Sequence, residues 1–467
     1  MRFLHVVASA CKMILTDGIS RDEFMIQYLK EEKNKRYRQK VYRYIQSIIK
    51  YKSLLNYIML SARAGRKDAF HKEDEDYFMR IAIIFHVFEE KIEKKVYAPF
   101  SVEEKEKALS LLKIVLPGLN PDDVAFINRL LELDVASRMR GKAFTERCSI
   151  LYSHPSFFIE ILRPLIPEAR IEAMLEAHQA SENFFLVSRD ASSSKRIKEL
   201  LVTKGLTFQP ARILPNVLIA QNIPGRKQDI LDHVLKHEKT TILQDFGSAV
   251  VVEAMGVRDG DVIIDACAAP FQKSIAMAWK CRCSGRVIAL DVHPGRTSQN
   301  LQRLGKRDAH GIHPIIADAS SIHMLYRGPV PDKILIDAPC SGSGSLITFP
   351  ELKDRQTASG VESFAKLQRG IVSSVLQLCQ IQHWNNTEII YSTCSYYPEE
   401  GEEIITNFAD QIDLLDLHDP VARGASLWQL ERGWKGYPCA KYVIRTFPDM
   451  DQGSKAFFIA KFKARAK

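Results

Sequence analysis

Asp332-Lys-Ile-Leu-Ile-Asp-Ala-Pro-Cys-Ser-Gly-Ser-Gly344 is the stretch around which the chain is organised. Residues 332–336 are apolar after the first two, which predicts a short strand buried on both faces. The strand should stop at Asp337. Pro339 has no N–H for a ladder, and Gly342 and Gly344 should keep the backbone beyond it loose. Asp337 and Cys340 are then presented at the carboxyl end of a central strand, where open α/β sheets bind ligands. A lone Cys in such a place is more often a small buried hydrophobe. A second stretch, Ile389-Ile-Tyr-Ser-Thr-Cys-Ser395, is another strand candidate and runs into Cys394. Two thiols and a carboxylate converging on one sheet edge point to covalent chemistry.

With 467 residues, 46% of them hydrophobic, the chain suggests two or three domains with real cores. No apolar run reaches the ~18 residues of a membrane helix. The short apolar start, Met1 to Ala10, is followed by charged helix rather than by a cleavage site, so a soluble cytoplasmic protein is expected. Nine cysteines without framework spacing predict reduced thiols. Cys281 and Cys283 have no second Cys/His pair at zinc spacing, so no metal is expected. A net charge of +9 permits a polyanionic partner without requiring one.

Residues 1–175 carry almost no strand signal. Val41, Ile45, Ile48, Leu55 and Ile58 recur at helical spacing, as do Met79, Ile81, Ile84 and Phe88. Leu116-Pro-Gly-Leu-Asn-Pro-Asp-Asp123 reads as a helix stop, a turn and an acidic restart. An all-helical domain is expected. Its most charged part holds Lys33, Lys35, Arg36, Arg38, Lys40 and Arg43 among Tyr37, Tyr42 and Tyr44. It reads either as a solvated helix face or as an RNA-binding patch that follows phosphates, with Lys35, Arg36, Arg38 and Lys40 its candidates.

Residues 176–245 change character. Phe184–Val187 and Val217–Ala220 are strand-like, and Ser192–Lys204 reads as a helix capped by its opening serines. A small α+β connector, a candidate RNA-recognition subdomain, is expected. From 246 to 467 strand, loop and helix alternate, the rhythm of a doubly wound, mostly parallel α/β sheet. Lys441–Phe447 and Ala456–Phe462 should form an antiparallel hairpin at its edge, since the loop between them is too short for a crossover.

Four strand candidates of this region end on Asp, at Asp265, Asp291, Asp318 and Asp337. Such a row of carboxylates predicts a ligand with donors, or a cation, at that edge. Asp318 is the weakest member, because Asp is common in turns. After Asp265, Ala266 to Ala269 are small enough for a ligand to approach the backbone. Asp291 lies where an acidic residue binds ribose hydroxyls in nucleotide-type folds. The Gly-rich dinucleotide fingerprint is absent, which argues against a nicotinamide-dependent dehydrogenase. S-adenosyl-L-methionine has no pyrophosphate and does not need it. Asp291 and Asp318 could serve its ribose and adenine.

DACAAPFQKS from Asp265, DAPCSGSG from Asp337 and YSTCS from Tyr391 resemble, in order, the DACAAPGGKT, DAPCSGSG and YSTCS motifs of the RsmB-type (Sun-type) RNA cytosine-5 methyltransferases. The resemblance covers about residue 240 to the end. Upstream, Arg38–Tyr42 and Ser153–Phe157 are similar to parts of the family's NusB-like domain and the link after it, the branch that acts on ribosomal RNA. The resemblance implies a Rossmann-like S-adenosyl-L-methionine methyltransferase core preceded by an all-α domain. It also implies an RNA partner, with ribosomal RNA favoured over transfer RNA, and a monomer without metal or membrane association. Carried over, the cofactor loop falls on Cys267, Ala268, Ala269, Pro270, Phe271, Gln272 and Lys273. The ribose-side pair falls on Asp291 and Arg296, the adenine-side acid on Asp318, and the motif acid on Asp337. The nucleophile falls on Cys394, and the thiol that assists product release on Cys340.

Carbon 5 of cytosine is a poor nucleophile until a thiolate adds to carbon 6. That step needs a thiol of lowered pKa at a polar strand end. Asp337 and Lys273 are the candidates to stabilise charge near ring nitrogen 3, and the base must be single-stranded or flipped out. The chain departs from the family at Phe271 and Gln272, which replace paired glycines. Side-chain bulk there predicts weaker cofactor binding. An RNA-binding relative with impaired cofactor binding is the alternative this departure raises. Phe185-Leu-Val-Ser-Arg189 also departs from the family's Leu-Arg-Val-Asn-like strand.

Overall fold

The computed structural model describes residues 2–17, 19, 21, 23–25, 38–62, 75–95, 97–115, 121–180, 183–221, 235–236, 238–282, 285–305, 307–419 and 426–466. They form two compact units, one of Met1–Gln179 with Pro350–Arg355, the other of Ala180–Phe349 with Gln356–Lys467. The stretch expected as a separate connector thus belongs, from Ala180 on, to the second unit.

The described residues of the first unit contain helices and turns and no strand. Val41, Ile45 and Ile48 line one face of helix Arg38–Lys50, and Leu55 and Ile58 one face of Lys52–Ser61. Helix Glu75–Glu93 buries Ile81, Ile84 and Phe88 against them, whereas Met79 is half-buried. The turn at 116–120 lies outside the described residues, and helix Pro121–Leu131 follows it.

Pro350–Arg355 carries no periodic pattern, yet it forms a 3-10 helix inside this unit. Lys353, buried there, donates to the carbonyl of Tyr152 at 2.9 Å and lies 3.5 Å from that of Lys50. Both carbonyls stand at helix C-terminal ends. Gln179 Nε2 donates to the same two oxygens. Burial, then repulsion from Lys50, pulls the Lys353 ammonium well below its ordinary pKa. Burial likewise keeps the adjoining His154 and His178, 2.9 Å apart, well below theirs.

In the second unit, β1 (Phe184–Ser188), β2 (Thr207–Pro210), β3 (Val217–Gln221) and β4 (Thr241–Leu243) form a small sheet ordered β2-β3-β1-β4. All its pairings are antiparallel, the arrangement of the split β-α-β unit. Helix Ala191–Thr203 covers one face through Ile197 and Leu201, and Phe185, Val187, Val217 and Ile219 bury the other. The helix is capped by Asp190, which accepts from Ser193 N, and not by the serines.

The larger sheet contains β5 (Val262–Asp265), β6 (Arg286–Asp291), β7 (Ile312–Ile316), β8 (Lys333–Asp337), β9 (Glu388–Thr393), β10 (Ile412–Leu415), β11 (Glu431–Arg432), β12 (Ile444–Thr446) and β13 (Phe457–Ala464). Its order is β11-β12-β13-β9-β8-β5-β6-β7, with β10 beside β13. The strands from β9 to β7 are parallel, and β13 returns antiparallel to β9. Alternate residues serve opposite cores. Ile263, Val287, Leu335 and Ile390 meet helices Phe246–Met255 and Gln272–Lys280, while Ile264, Ile288, Ile336 and Tyr391 meet helix Ala358–Ile381. Burial on both faces accounts for strands that read as continuous apolar runs. The expected hairpin is β12–β13, but β13 lies inside the sheet because β11 and β12 extend it. The third Asp-ended strand stops at Ile316. Asp318 lies beyond it and accepts from Ser320 N as a turn cap.

Candidate active site

Parallel pairing of β8 with β9 sets Asp337 opposite Ser392 and brings both cysteine loops to one edge. Cys340 Sγ and Cys394 Sγ lie 3.3 Å apart, both free thiols. The loop glycines are not there for looseness. Gly342 has φ +71, which favours glycine, and a Cβ on Gly344 would come within 2.1 Å of Ala456 O. Gly344 N donates to Cys394 O and Ala456 N donates to Gly344 O, so this contact ties both loops to β13. The two thiols are inequivalent. The hydrogen bond from Cys340 lowers the Cys394 pKa against the cost of burial, helped by Ser345 and the Lys455 charge. The same bond and burial drive Cys340 well up. Of the two sulfurs, Cys394 is thus the more readily ionised.

Lys273, the second residue of helix Gln272–Lys280, donates to Asp337 Oδ2 at 2.6 Å, and Ser392 Oγ donates to Oδ1 at 2.7 Å. Burial opposes the charge on Lys273, but Asp337 more than offsets it and the pKa rises. At Cys267, burial and then the charges of Asp265, Asp337, Asp291 and Asp318 raise the thiol pKa well above normal. Those four carboxylates therefore do gather at one edge. The protein itself relieves part of their repulsion. Lys273 pairs with Asp337 and Arg296 with Asp291. Burial pushes Asp265 up to about 7, while Ser274 donates to it.

Asp291 is buried, and it accepts from Ala269 N, His293 N and Arg296 Nη2. One carboxylate thus fixes the Cys267–Pro270 loop to the end of β6. Phe271 departs from expectation. It takes the turn, with φ +72, and caps the helix in the left-handed conformation that a glycine would adopt. Its ring is fully buried against Ala268, Ala289, Leu304 and Ile312, away from the loop's open side. The bulk of Phe271 fills core. Replacing Phe271 and Gln272 by glycine should relieve about 1–2 kcal/mol of left-handed strain. It forfeits roughly 3–5 kcal/mol of buried aromatic packing. The double variant is expected to melt several degrees lower without binding S-adenosyl-L-methionine more tightly. Equal melting with tighter binding would contradict this.

Among the RNA candidates, Lys35 and Arg36 lie outside the described residues, as does the side chain of Arg38. Lys40 is exposed, with its ammonium 4.7 Å from the centre of the Phe3 ring. Tyr44 is core, bonded to Glu89 and His86, so its ring cannot stack on a base. The sequence reading missed Lys455 and Glu400. Lys455 bears on Cys394 from the loop before β13, and its ammonium lies 4.9 Å from the centre of the Phe349 ring. Glu400 lies behind both thiols in an acidic run that reads as solvated helix.

Residues 252–463 match the family model for the 16S rRNA methyltransferase RsmB/F. This stretch of the chain is similar to that methyltransferase family. A probable ribosomal RNA small subunit methyltransferase B of Coxiella burnetii is 25% identical over 348 residues, 72% of this chain and 74% of the relative. A 28S rRNA (cytosine-C(5))-methyltransferase of Mus musculus is 24% identical over 344 residues, 70% of this chain. The match spans 42% of that relative's length. The fold recurs in the crystal structure of PH0851, at a TM-score of 0.72 and 18% identity over 99% of this chain and 98% of that one. It recurs again in a methyltransferase homolog from Pyrococcus horikoshii, at 0.56 and 21% over 69% of this chain and 99% of that one. The matched stretch includes the loops that carry Cys340 and Cys394.

Proposed function

We propose that this protein uses S-adenosyl-L-methionine to form 5-methylcytosine in ribosomal RNA, through a covalent bond between Cys394 and carbon 6 of the base. The observation that carries the proposal is the Cys394 thiol, lowered in pKa at a strand end, 3.3 Å from a second thiol. The Asp337–Lys273 pair lies at the same edge. The relatives named as ribosomal RNA methyltransferases favour ribosomal RNA as the substrate.

The residues present suit the cofactor. Small side chains line Cys267 to Ala269, Asp291 and Arg296 stand together at the end of β6, and Phe271 is turned inward. Cys267 to Lys273, Asp291, Arg296, Asp318 and Asp337 would hold it. When bound it supplies an electrophilic methyl group.

The protein's own part begins at Cys394, whose thiolate forms a bond to carbon 6. The ring's 5,6 electron pair moves away from sulfur, making carbon 5 nucleophilic and placing charge toward nitrogen 3. The Lys273 ammonium, held in place by its pairing with Asp337, supplies the positive charge and N–H donors that offset the charge developing there. Once Cys394 is bonded to carbon, the thiolate beside Cys340 is gone. The largest cause holding the Cys340 pKa up goes with it. Cys340 can then lose its own proton to solvent and, once carbon 5 carries the methyl group, take the remaining proton from that carbon. The carbon 5 electron pair re-forms the double bond and expels Cys394. Both thiols must be reduced, which favours a reducing compartment such as the cytoplasm. The helical unit, in the NusB-like role, would add phosphate contacts through Lys40 and its neighbours.

The impaired-binding alternative drew on Phe271 and Gln272, and the inward-turned Phe271 ring gives it no support. The test is methyl transfer from labelled S-adenosyl-L-methionine to ribosomal RNA, with the product base identified. Label should appear on carbon 5 of cytosine. Because the reactive form is the deprotonated one, the rate should rise with pH and level off below the ordinary thiol pKa of about 8.5. Label on another base, or a rate still rising beyond that pH, would contradict the proposal.

A further inference from the structure

We infer that Glu400 is a positioning residue whose single carboxylate clamps the loops of Cys340 and Cys394 together and assigns the negative charge of the thiol pair to Cys394. This deepens the reading of Cys394 as the nucleophile and rests on it.

The clamp is defined by hydrogen bonds. Ser341, the residue after Cys340, donates its N–H to Glu400 Oε1 at 2.8 Å and its hydroxyl to Oε2 at 2.6 Å. Ser395, the residue after Cys394, donates its hydroxyl to the same Oε2 at 2.5 Å. Gln368 of the long helix donates to Oε1 at 3.2 Å and also to Pro339 O at 2.8 Å. Glu400 is itself fixed, because its carbonyl accepts from Tyr391 Oη and Thr393 Oγ1 of β9. The carboxylate is fully buried. One buried group therefore holds the C-terminal neighbour of each cysteine.

Four donors on two oxygens is the arrangement of an ionised carboxylate, since a protonated one would spend an oxygen as a donor. Burial raises the Glu400 pKa, and the donors from Ser341, Ser395 and Gln368 offset only part of that rise. The charges around the pair are asymmetric. Glu400 opposes ionisation of Cys340, after the Cys394 hydrogen bond and burial. On the other side Lys455 favours the Cys394 thiolate, Asp337 opposes it, and Lys273 faces it too. An ordinary structural carboxylate would hold the loops without deciding which sulfur is charged.

The experiment is competitive alkylation of the whole protein by iodoacetamide, with initial modification of each thiol counted by mass spectrometry. It needs neither RNA nor cofactor. In the wild type Cys394 should react at least about tenfold faster than Cys340, following thiolate fraction. Glu400→Gln removes the charge and puts an N–H₂ where an oxygen accepted two donors. The ratio of Cys394 to Cys340 modification should then fall about tenfold, the equivalent of one pKa unit. An unchanged ratio in a variant that melts as a folded protein would overturn the inference. Where Glu400→Gln does not fold, Ser341→Ala removes one arm of the clamp and should lower the ratio about threefold. An unchanged ratio there overturns it equally. Failure of the functional reading shows separately, as a wild type that places no label in RNA whatever its alkylation ratio.

Discussion

Cys394→Ala is expected to lower RNA methylation by at least about 10³-fold, the scale on which removal of a covalent nucleophile is felt. The loss follows from the chemistry of the base. Without a bond to carbon 6, carbon 5 stays inside a neutral conjugated ring, and neither Asp337 nor Lys273 can make it nucleophilic. Stability should change little, because the residue is half-buried and alanine retains its Cβ. Label incorporation is measured on the variant and the wild type beside a thermal melt of each. A folded Cys394→Ala protein retaining a tenth of the wild-type rate would mean that this sulfur does not attack.

Arg445→Ala should cost about 3–5 kcal/mol of folding stability, the range for breaking one side of a buried ion pair. Arg445 and Glu402 are both fully buried and joined twice, Nε to Oε1 at 2.9 Å and Nη2 to Oε2 at 2.6 Å. The guanidinium also lies 4.7 Å from the centre of the Trp434 ring and 5.1 Å from that of Phe458. Alanine would leave the Glu402 carboxylate charged in an apolar setting, with a cavity beside it. Arg445 Nη1 also donates to Ser395 O at 2.9 Å, beside the nucleophile. Activity should therefore fall along with the midpoint of denaturant unfolding. A change below about 1 kcal/mol would show that the pair contributes as little as a surface bridge.

The parts of the fold set by short-range pattern were legible in the sequence. The strands ending on Asp265, Asp291 and Asp337 are largely buried runs, and their terminal carboxylates follow from where such runs stop. Asp318 has the same look, but Pro314 and the exposed residues Ile315 and Ile316 belong to an edge strand that ends sooner. The helical face from Val41 to Ile58 was readable because burial repeats with the helical period. Pro350–Arg355 was not. Its place in the helical unit depends on Lys353 reaching carbonyls some 200 and 300 residues away, which no local window contains.

The chemistry was legible where residue type is rare and specific, as with the two thiols and the Asp337 motif. At Phe271 the sequence shows the size of the side chain but not its direction. A bulky residue in place of glycine reads as an obstacle, whereas here its ring leaves the loop and enters the core. Glu400 was hidden for the opposite reason. Glu399, Glu400, Glu402 and Glu403 look like the solvated start of a helix, and only the partners that fold around Glu400 and Glu402 distinguish them.

The most direct measurement of the central claim is a denaturing gel of Cys340→Ala incubated with RNA and S-adenosyl-L-methionine. In the proposed mechanism Cys340 acts only after methyl transfer, so this variant should form the bond from Cys394 and fail to release it. A protein band shifted by the mass of the RNA is the predicted result, absent when Cys394 is also replaced by alanine. A shifted band with Cys394→Ala alone, and none with Cys340→Ala, would reverse the two roles and contradict the account. So would a wild type that methylates RNA while neither variant nor wild type ever shows the linked species.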